Sequence, residues 1–267
     1  MTEMSYNQFQ QFRSLIYEKL GIAIADHKQQ MIQARLKKVM GYLGISVYDD
    51  LYKCLLNDKD NKCWSIFVHE ITTHKTDFFR EYNHFNFIQD RIDFILNLNK
   101  RIELNKEIRV WSAGCSTGEE PYTIAMILKE VLAAEISIKI LATDISPQVI
   151  DKAQRGVYNL QLEDIGDYFK SRYFVVKKDG LHIKDDIKKL VTFRTFNLME
   201  PFPFKNKFDI IFCRNVMIYF DIPVQEKLTI KYYDVLVPGG LYFVGHSESL
   251  ANREHKFNYI QPTIYSK

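Results

Sequence analysis

Apolar residues fall at helical spacing through the first eighty positions. Phe9, Phe12, Ile16 and Leu20 share one face, and Ile32, Leu36, Val39 and Leu43 make an i, i+4, i+7, i+11 stripe. Asp26 stands where a cap for that second helix is expected, and Gly41 and Gly44 lie near its end. Trp64, Phe67, Val68 and Ile71 mark a further helix. A long helix is expected over about Tyr82–Leu98. From Arg109 the pattern becomes alternating strands and helices, the mark of a mainly parallel sheet. The strands expected are Arg109–Ala113, Ser137–Thr143, Val191–Asn197, Phe208–Cys213, Leu241–Gly245 and Tyr259–Tyr265. One segment breaks the rhythm. Tyr173-Phe174-Val175-Val176, a Lys-Lys-Asp-Gly turn and Leu181-His182-Ile183 read as a small antiparallel hairpin. The organisation expected is an all-helical domain over 1–80 and an α/β domain over 81–267, the latter holding the linker helix 82–98 and an inserted β-subdomain at about 168–190.

The chain has 267 residues, enough for one large or two small domains. Its 46% hydrophobic content supports a core, and a net charge of +3 does not by itself indicate a nucleic-acid binder. Cys54, Cys63, Cys115 and Cys213 are scattered with no C-x-x-C. That argues against structural zinc and against a disulfide framework, and makes a reducing cytoplasm the natural setting. The first residues are polar and lack a signal-peptide core, and no run approaches eighteen apolar residues, so neither secretion nor a membrane span is expected.

The chemistry concentrates in Val110-Trp111-Ser112-Ala113-Gly114-Cys115-Ser116-Thr117-Gly118-Glu119-Glu120-Pro121-Tyr122. This reads as a strand, a glycine-bearing turn and a helix start. Gly114 and Gly118 let a ligand approach the backbone, and the helix start offers free N–H groups. Lys139-Ile140-Leu141-Ala142-Thr143-Asp144 is a second strand pattern ending in an acid, placed to grip ribose hydroxyls. The pattern is not G-x-G-x-x-G, and Glu119 and Glu120 would repel a pyrophosphate. No Gly-Lys-Ser/Thr follows, which excludes a P-loop. A cofactor with positive charge at the turn fits better, and S-adenosylmethionine, with its ammonium and sulfonium, is favoured over a nicotinamide. Either glutamate, or both, can instead serve as a first-turn acid complementing the helix dipole.

The chain resembles the chemotaxis receptor glutamate methyltransferases of the CheR type. The segments that carry the resemblance are Thr72-Thr73-His74-Lys75-Thr76-Asp77-Phe78-Phe79-Arg80-Glu81, the Trp111–Tyr122 turn, Ala142-Thr143-Asp144, Phe208 through Phe220 with its Cys213-Arg214-Asn215-Val216-Met217-Ile218-Tyr219-Phe220 string, and Gly239-Gly240 through Gly245-His246-Ser247-Glu248. They appear in the family's order over nearly the whole chain. The resemblance implies a Rossmann-like S-adenosylmethionine domain, an N-terminal helical domain and a small inserted antiparallel β-subdomain. It places cofactor contacts on His74, Thr76, Arg80, Glu120, Asp144, Asn197, Leu198, Arg214 and Asn215, with no metal. His74 departs from the asparagine frequent in the family; a histidine still donates one hydrogen bond but is bulkier. Glu120, rather than Glu119, is the acid the family points to.

The implied reaction methylates glutamate side chains on the cytoplasmic helical region of methyl-accepting chemotaxis receptors, leaving S-adenosylhomocysteine. A glutamate side chain ordinarily titrates at about pH 4.3 and is already ionised at neutral pH, so positioning rather than base catalysis is required. Arg80 and Tyr219 are the candidates for that work. Arg80 can steer the acceptor, hold the cofactor's carboxylate, or simply pair with Glu81 or Glu70. Tyr219 can line the transfer pocket or be a core aromatic. Lys28, Arg35 and Lys38 form one basic edge suited to an acidic receptor surface. The short Lys177–Gly180 turn argues against capture of a receptor tail peptide. The missing Pro-Pro turn after Asn215 and the modest charge disfavour a nucleic-acid substrate. A cytoplasmic monomer without membrane insertion is expected. The competing readings are a carboxyl methyltransferase of another receptor pathway and an inactive receptor-binding module.

Overall fold

The computed structural model describes residues 3–160, 165–250 and 254–267. Four helices open the chain: α1 (Tyr6–Leu20), α2 (Gln29–Leu43), α3 (Tyr48–Leu56) and α4 (Lys62–Ile71). Their apolar stripes close on one another around Phe9, Phe12, Leu36, Val39 and Phe67, all fully buried. Ser5 caps α1 through a reciprocal bond with Gln8. Asp26 does not cap α2. It accepts from Arg13 of α1 at 2.5 Å, and α2 starts after a 3-10 turn with no side-chain cap. Cys54 and Cys63 form a disulfide, contrary to the expectation from their spacing. The α3–α4 hairpin brings their Cα atoms to 6.5 Å, within bonding range for two cysteines that no local motif links.

The expected linker helix is two helices, α5 (Asn83–Asp90) and α6 (Ile92–Leu98), followed by α7 (Arg101–Asn105). Arg91 leaves the helical region between them (φ −124°, ψ 22°). The bend lets Asn99 and Arg101 reach the buried Asp209, whose Oδ1 accepts from Asn99 Nδ2 at 2.8 Å and from Arg101 Nε at 3.0 Å.

The α/β part continues with β1 (Glu107–Ala113), α8 (Glu119–Val131), β2 (Ser137–Asp144), α9 (Pro147–Arg155), β3 (Val157–Tyr158), α10 (Asp167–Tyr173), β4 (Phe174–Lys177), β5 (Gly180–Ile183), α11 (Asp185–Lys188), β6 (Val191–Thr195), β7 (Phe208–Cys213), a 3-10 turn at Met217–Tyr219, α12 (Ile222–Val235), β8 (Leu236–Val244), β9 (Asn258–Gln261) and β10 (Ile264–Ser266). The central sheet has seven strands in the order β6-β2-β1-β7-β8-β10-β9. The first five run parallel, and β10 and β9 are antiparallel at the end. The strand expected over Tyr259–Tyr265 is therefore a hairpin, turned at Pro262-Thr263, where Thr263 takes φ 65°. The β4–β5 hairpin is as expected, and β3 adds a third strand beside β5. β1 is buried on both faces. Ile108 and Val110 join the cluster on one side, Trp111 and Ala113 the cluster on the other. The strand order reverses beside β1, so the carboxyl ends of β1, β2 and β7 open onto the crevice where such sheets bind ligands.

The helical layer closes that crevice. Ile22 bridges to Phe220, Ala23 N–H donates to the Tyr219 carbonyl at 2.9 Å, and Tyr17 donates to Asp221 at 2.8 Å. Arg35 is committed inside this layer. Its guanidinium donates to the carbonyls of Glu70 (3.1 Å), Ile71 and Thr72 (2.8 Å) and to Thr73 Oγ1 (3.0 Å). It caps the C-terminus of α4, where unpaired carbonyls require donors. No helix among the described residues is long and apolar enough to cross a membrane.

Candidate active site

A cavity of about 390 Å³ lies between the helical layer and the carboxyl ends of β1, β2 and β7. His74, Thr76, Arg80, Glu120, Asp144, Asn197, Leu198, Arg214, Asn215 and Tyr219 all line it, as do Lys28 and Arg35. Residues far apart in sequence thus meet on one surface, because the topology brings the ends of three parallel strands together.

The floor is the turn from β1 into α8. Gly114 takes φ 85°, and a Cβ there would stand 2.3 Å from Val216 Cγ2. Any side chain would push the turn off the loop after β7. Ser116, at φ 48°, donates its N–H to Asp144 Oδ2 at 2.9 Å, and Ser146 N–H donates to Oδ1 at 3.0 Å. Asp144 is thereby fixed at the tip of β2. Burial pushes its carboxyl above the usual value, opposed by the two N–H bonds and by nearby His74. A carboxylate at this place is able to accept from the vicinal hydroxyls of a ribose.

The two adjacent glutamates part company. Glu119 turns into the protein, where its Oε2 accepts from Thr117 Oγ1 at 2.6 Å. Glu120 faces the cavity, accepting from Ser112 Oγ at 2.7 Å and from Arg214 Nη1 at 3.1 Å. Burial raises the pKa of Glu120, while Arg214 and the Ser112 bond draw it down. The Arg214 side chain, 2% exposed, also donates to Glu81 Oε2 at 3.0 Å and to the Arg80 carbonyl, and lies 5.4 Å over the Phe85 ring. Glu81 Oε1 in turn accepts from Asn215 Nδ2 and from the His246 N–H, each at 3.2 Å. Burial would raise Glu81, but Arg214 and these bonds outweigh it and hold the carboxyl below its usual range.

Arg80 pairs with neither acid considered for it. Glu81 is taken by Arg214 and Asn215, and Glu70 lies 3.9 Å from Lys38. The Arg80 guanidinium donates to the Lys75 carbonyl at 2.9 Å, on the rim of the cavity. His74 stacks on His69 with centroids 4.7 Å apart, its Nε2 beside the His69 carbonyl (2.9 Å), and its own carbonyl accepts from Ser116 Oγ at 2.8 Å. Asn197 is held by the Lys19 carbonyl and the Met199 N–H. Tyr219 is half-buried on the 3-10 turn.

Sequence reasoning considered Glu81 only as a partner for Arg80 and gave Glu248 no role, although both lie in segments that carried the resemblance. Glu248 is 2% exposed. Its Oε2 accepts from the N–H groups of Asn215 and Gly245, both at 2.7 Å, and its Oε1 from Ile218 N–H at 3.1 Å. It clamps the loop between Arg214 and Tyr219. Phe79, Glu81, Ser116 and Asn215 all take left-handed φ, between 48° and 58°. Each such position costs on the order of 1–3 kcal/mol and persists only where its surroundings fix it, as the Glu81 and Glu248 bonds do.

A deep crevice at the strand-order reversal, an acid fixed at the tip of β2 and a second acid facing the cavity at the start of α8 define an S-adenosylmethionine-dependent methyltransferase. Residues 7–72 match the family model described as the CheR methyltransferase all-alpha domain, and residues 74–266 match the CheR methyltransferase SAM binding domain. The chain belongs to the CheR methyltransferase family. It is 38% identical to a chemotaxis protein methyltransferase of Borreliella burgdorferi, over 95% of this chain and 91% of that protein. It is 36% identical to chemotaxis protein methyltransferase 2 of Pseudomonas aeruginosa, over 97% and 92%. Against the chemotaxis protein methyltransferase of Escherichia coli the identity is 35%, over 100% and 93%.

Replacing Glu248 by Ala should leave three backbone donors without their acceptor, each unmet buried donor costing about 1–3 kcal/mol. Chemical denaturation should show the loss, and amide exchange should quicken at Asn215, Ile218 and Gly245. An unchanged midpoint with unchanged exchange would mean that the carboxylate is no clamp.

Proposed function

We propose that this protein transfers the methyl group of S-adenosylmethionine to glutamate carboxylates of methyl-accepting chemotaxis receptors, forming methyl esters. The observation that carries the reading is the cavity itself. In a member of this family, it joins fixed acids suited to a cationic nucleoside with an arginine unpaired by acids at its rim. The donor residues fit the cofactor. Asp144 would accept from the ribose, Glu120 would receive the ammonium, and Asn197, Leu198, Thr76 and His74 would hold the nucleoside. Bound there, S-adenosylmethionine supplies an electrophilic methyl on its sulfonium. The protein's own work is placement. The acceptor glutamate arrives ionised, so Arg80 needs only to orient it for in-line approach, with Asn215 and Tyr219 shaping the transfer pocket.

Residues 1–80 act in this reading as the receptor-docking domain, and 81–267 as the methyltransferase domain with its inserted β-subdomain. The docking edge is Lys28 and Lys38 of the α2 region, facing an acidic helical surface on the cytoplasmic side of the receptor. The β4–β5 turn is too short to hold a receptor tail. Arg35 belongs to the same edge in sequence, but its guanidinium is occupied by the end of α4. Replacing Lys28 and Lys38 by Ala should therefore slow methylation of a receptor fragment at low ionic strength, with the deficit narrowing at high salt. Arg35→Ala should act differently, lowering thermal stability. Equal rates for wild type and the double variant at low salt would make this edge an ordinary solvated face.

Arg80→Lys tests the placement role. Lysine keeps the charge but loses planar, bidentate recognition of a carboxylate. Turnover should fall by roughly 10²-fold or more if the guanidinium sets the approach geometry, with S-adenosylmethionine affinity little changed. A parallel fall in affinity would assign Arg80 to the cofactor's carboxylate instead. Normal turnover and normal affinity would remove it from the site.

A further inference from the structure

Glu81 does not line the cavity, yet its charge bears on what the cavity prefers. Arg214 is shared between two carboxylates, Glu81 at 3.0 Å and Glu120 at 3.1 Å. Its guanidinium is buried, so it takes its balance from these partners rather than from water. Two carboxylates against one guanidinium leave a single net negative charge. Of the two carboxylates only Glu120 lines the cavity, beside Arg214, so that charge reaches a ligand through Glu120. Among the described residues, no other side chain hydrogen-bonded to the three adds a charge: Ser112 and Asn215 are neutral donors. His84 stands with Nδ1 3.7 Å from Glu81 Oε2, but burial and the neighbouring Arg214 lower its pKa to about 3, so it brings no proton at neutral pH. Arg80 and Asp144 face the same cavity with their side chains bonded elsewhere, to the Lys75 carbonyl and to the Ser116 and Ser146 N–H groups.

We infer that Glu81 is a positioning and charge-setting residue: by holding Arg214 from the side away from the cavity, it leaves Glu120 the unneutralised charge that favours a cationic ligand. Without that second carboxylate, Arg214 and Glu120 would cancel, and this part of the wall would offer a sulfonium no net charge. Glu81 also fixes the amide of Asn215 and the His246 N–H, so the charge and the geometry of the wall come from one side chain. The inference rests on the reading of the cavity as an S-adenosylmethionine site.

The test is a ratio of affinities. S-adenosylmethionine carries one more positive charge than S-adenosylhomocysteine and otherwise differs by a methyl group. Both are titrated calorimetrically into the full chain without acceptor protein, using wild type and Glu81→Gln. Glutamine keeps the shape and one accepting oxygen but removes the charge. The affinity for S-adenosylmethionine relative to S-adenosylhomocysteine should drop by roughly tenfold or more, as expected for a unit charge several ångström away at a protein-like effective dielectric. A structural role alone would weaken both ligands together and leave the ratio where it was, which would overturn the inference. Wild type binding neither ligand would instead reject the underlying site reading. Glu81→Asp is the companion variant, keeping the charge on a shorter side chain. Its ratio should stay within about threefold of wild type, since the net charge is kept. A tenfold fall in that variant would contradict the charge account.

Discussion

The buried guanidinium of Arg214 is the constraint around which the rest of this structure is arranged. It sits just beyond β7 and ties together three places, two of them close neighbours in sequence and the third far along the chain. These are the Phe79–Glu81 stretch, the start of α8 through Glu120, and the aromatic face of Phe85. A buried charge without partners is costly, so the native backbone must deliver both carboxylates to it. That demand accounts for the left-handed conformations at Phe79, Glu81 and Asn215, which cluster here although none is glycine. Glu248 answers the same need from the other side, by fixing the N–H groups of Asn215 and Ile218.

Coupling between the two parts of the chain follows from where the helical layer is fastened. Its contacts converge on the loop after β7: Ile22 to Phe220, Ala23 to Tyr219 and Tyr17 to Asp221. The helical layer is therefore fastened to the turn that carries Tyr219 on the cavity wall. Arg35 belongs to this coupling too, because the α4 terminus it caps leads directly into the Thr72–Thr76 stretch of the cavity.

Much of this was legible in the sequence. Continuous apolar runs marked the buried strands, and the turn after β1 announced a nucleoside site through its two glycines and its acids. What stayed hidden was set by tertiary partners. Residue chemistry alone did not separate Glu119 from Glu120; the resemblance pointed to Glu120, and Ser112 and Arg214 are the partners that face it to the cavity. Arg35 read as a surface cation because its partners are backbone carbonyls of another helix. Asp26 was drawn from its capping role by Arg13. The Cys54–Cys63 bond depends on a helical hairpin that no cysteine motif encodes. β3 is two residues long, too short for any periodicity to register. The missed turn in the last strand carried its own signal, since Pro262 does not suit an uninterrupted strand.

The central claim is methyl transfer to a carboxylate, and it has a direct chemical signature. The purified protein is incubated with methyl-labelled S-adenosylmethionine and a cytoplasmic helical fragment of a chemotaxis receptor, and the labelled fragment is then treated with mild alkali. The account predicts label on the fragment that is released as volatile methanol, because a methyl ester hydrolyses under those conditions. Label that survives alkali would place the methyl group on nitrogen or on an unactivated oxygen, and would contradict the assignment of glutamate as the acceptor.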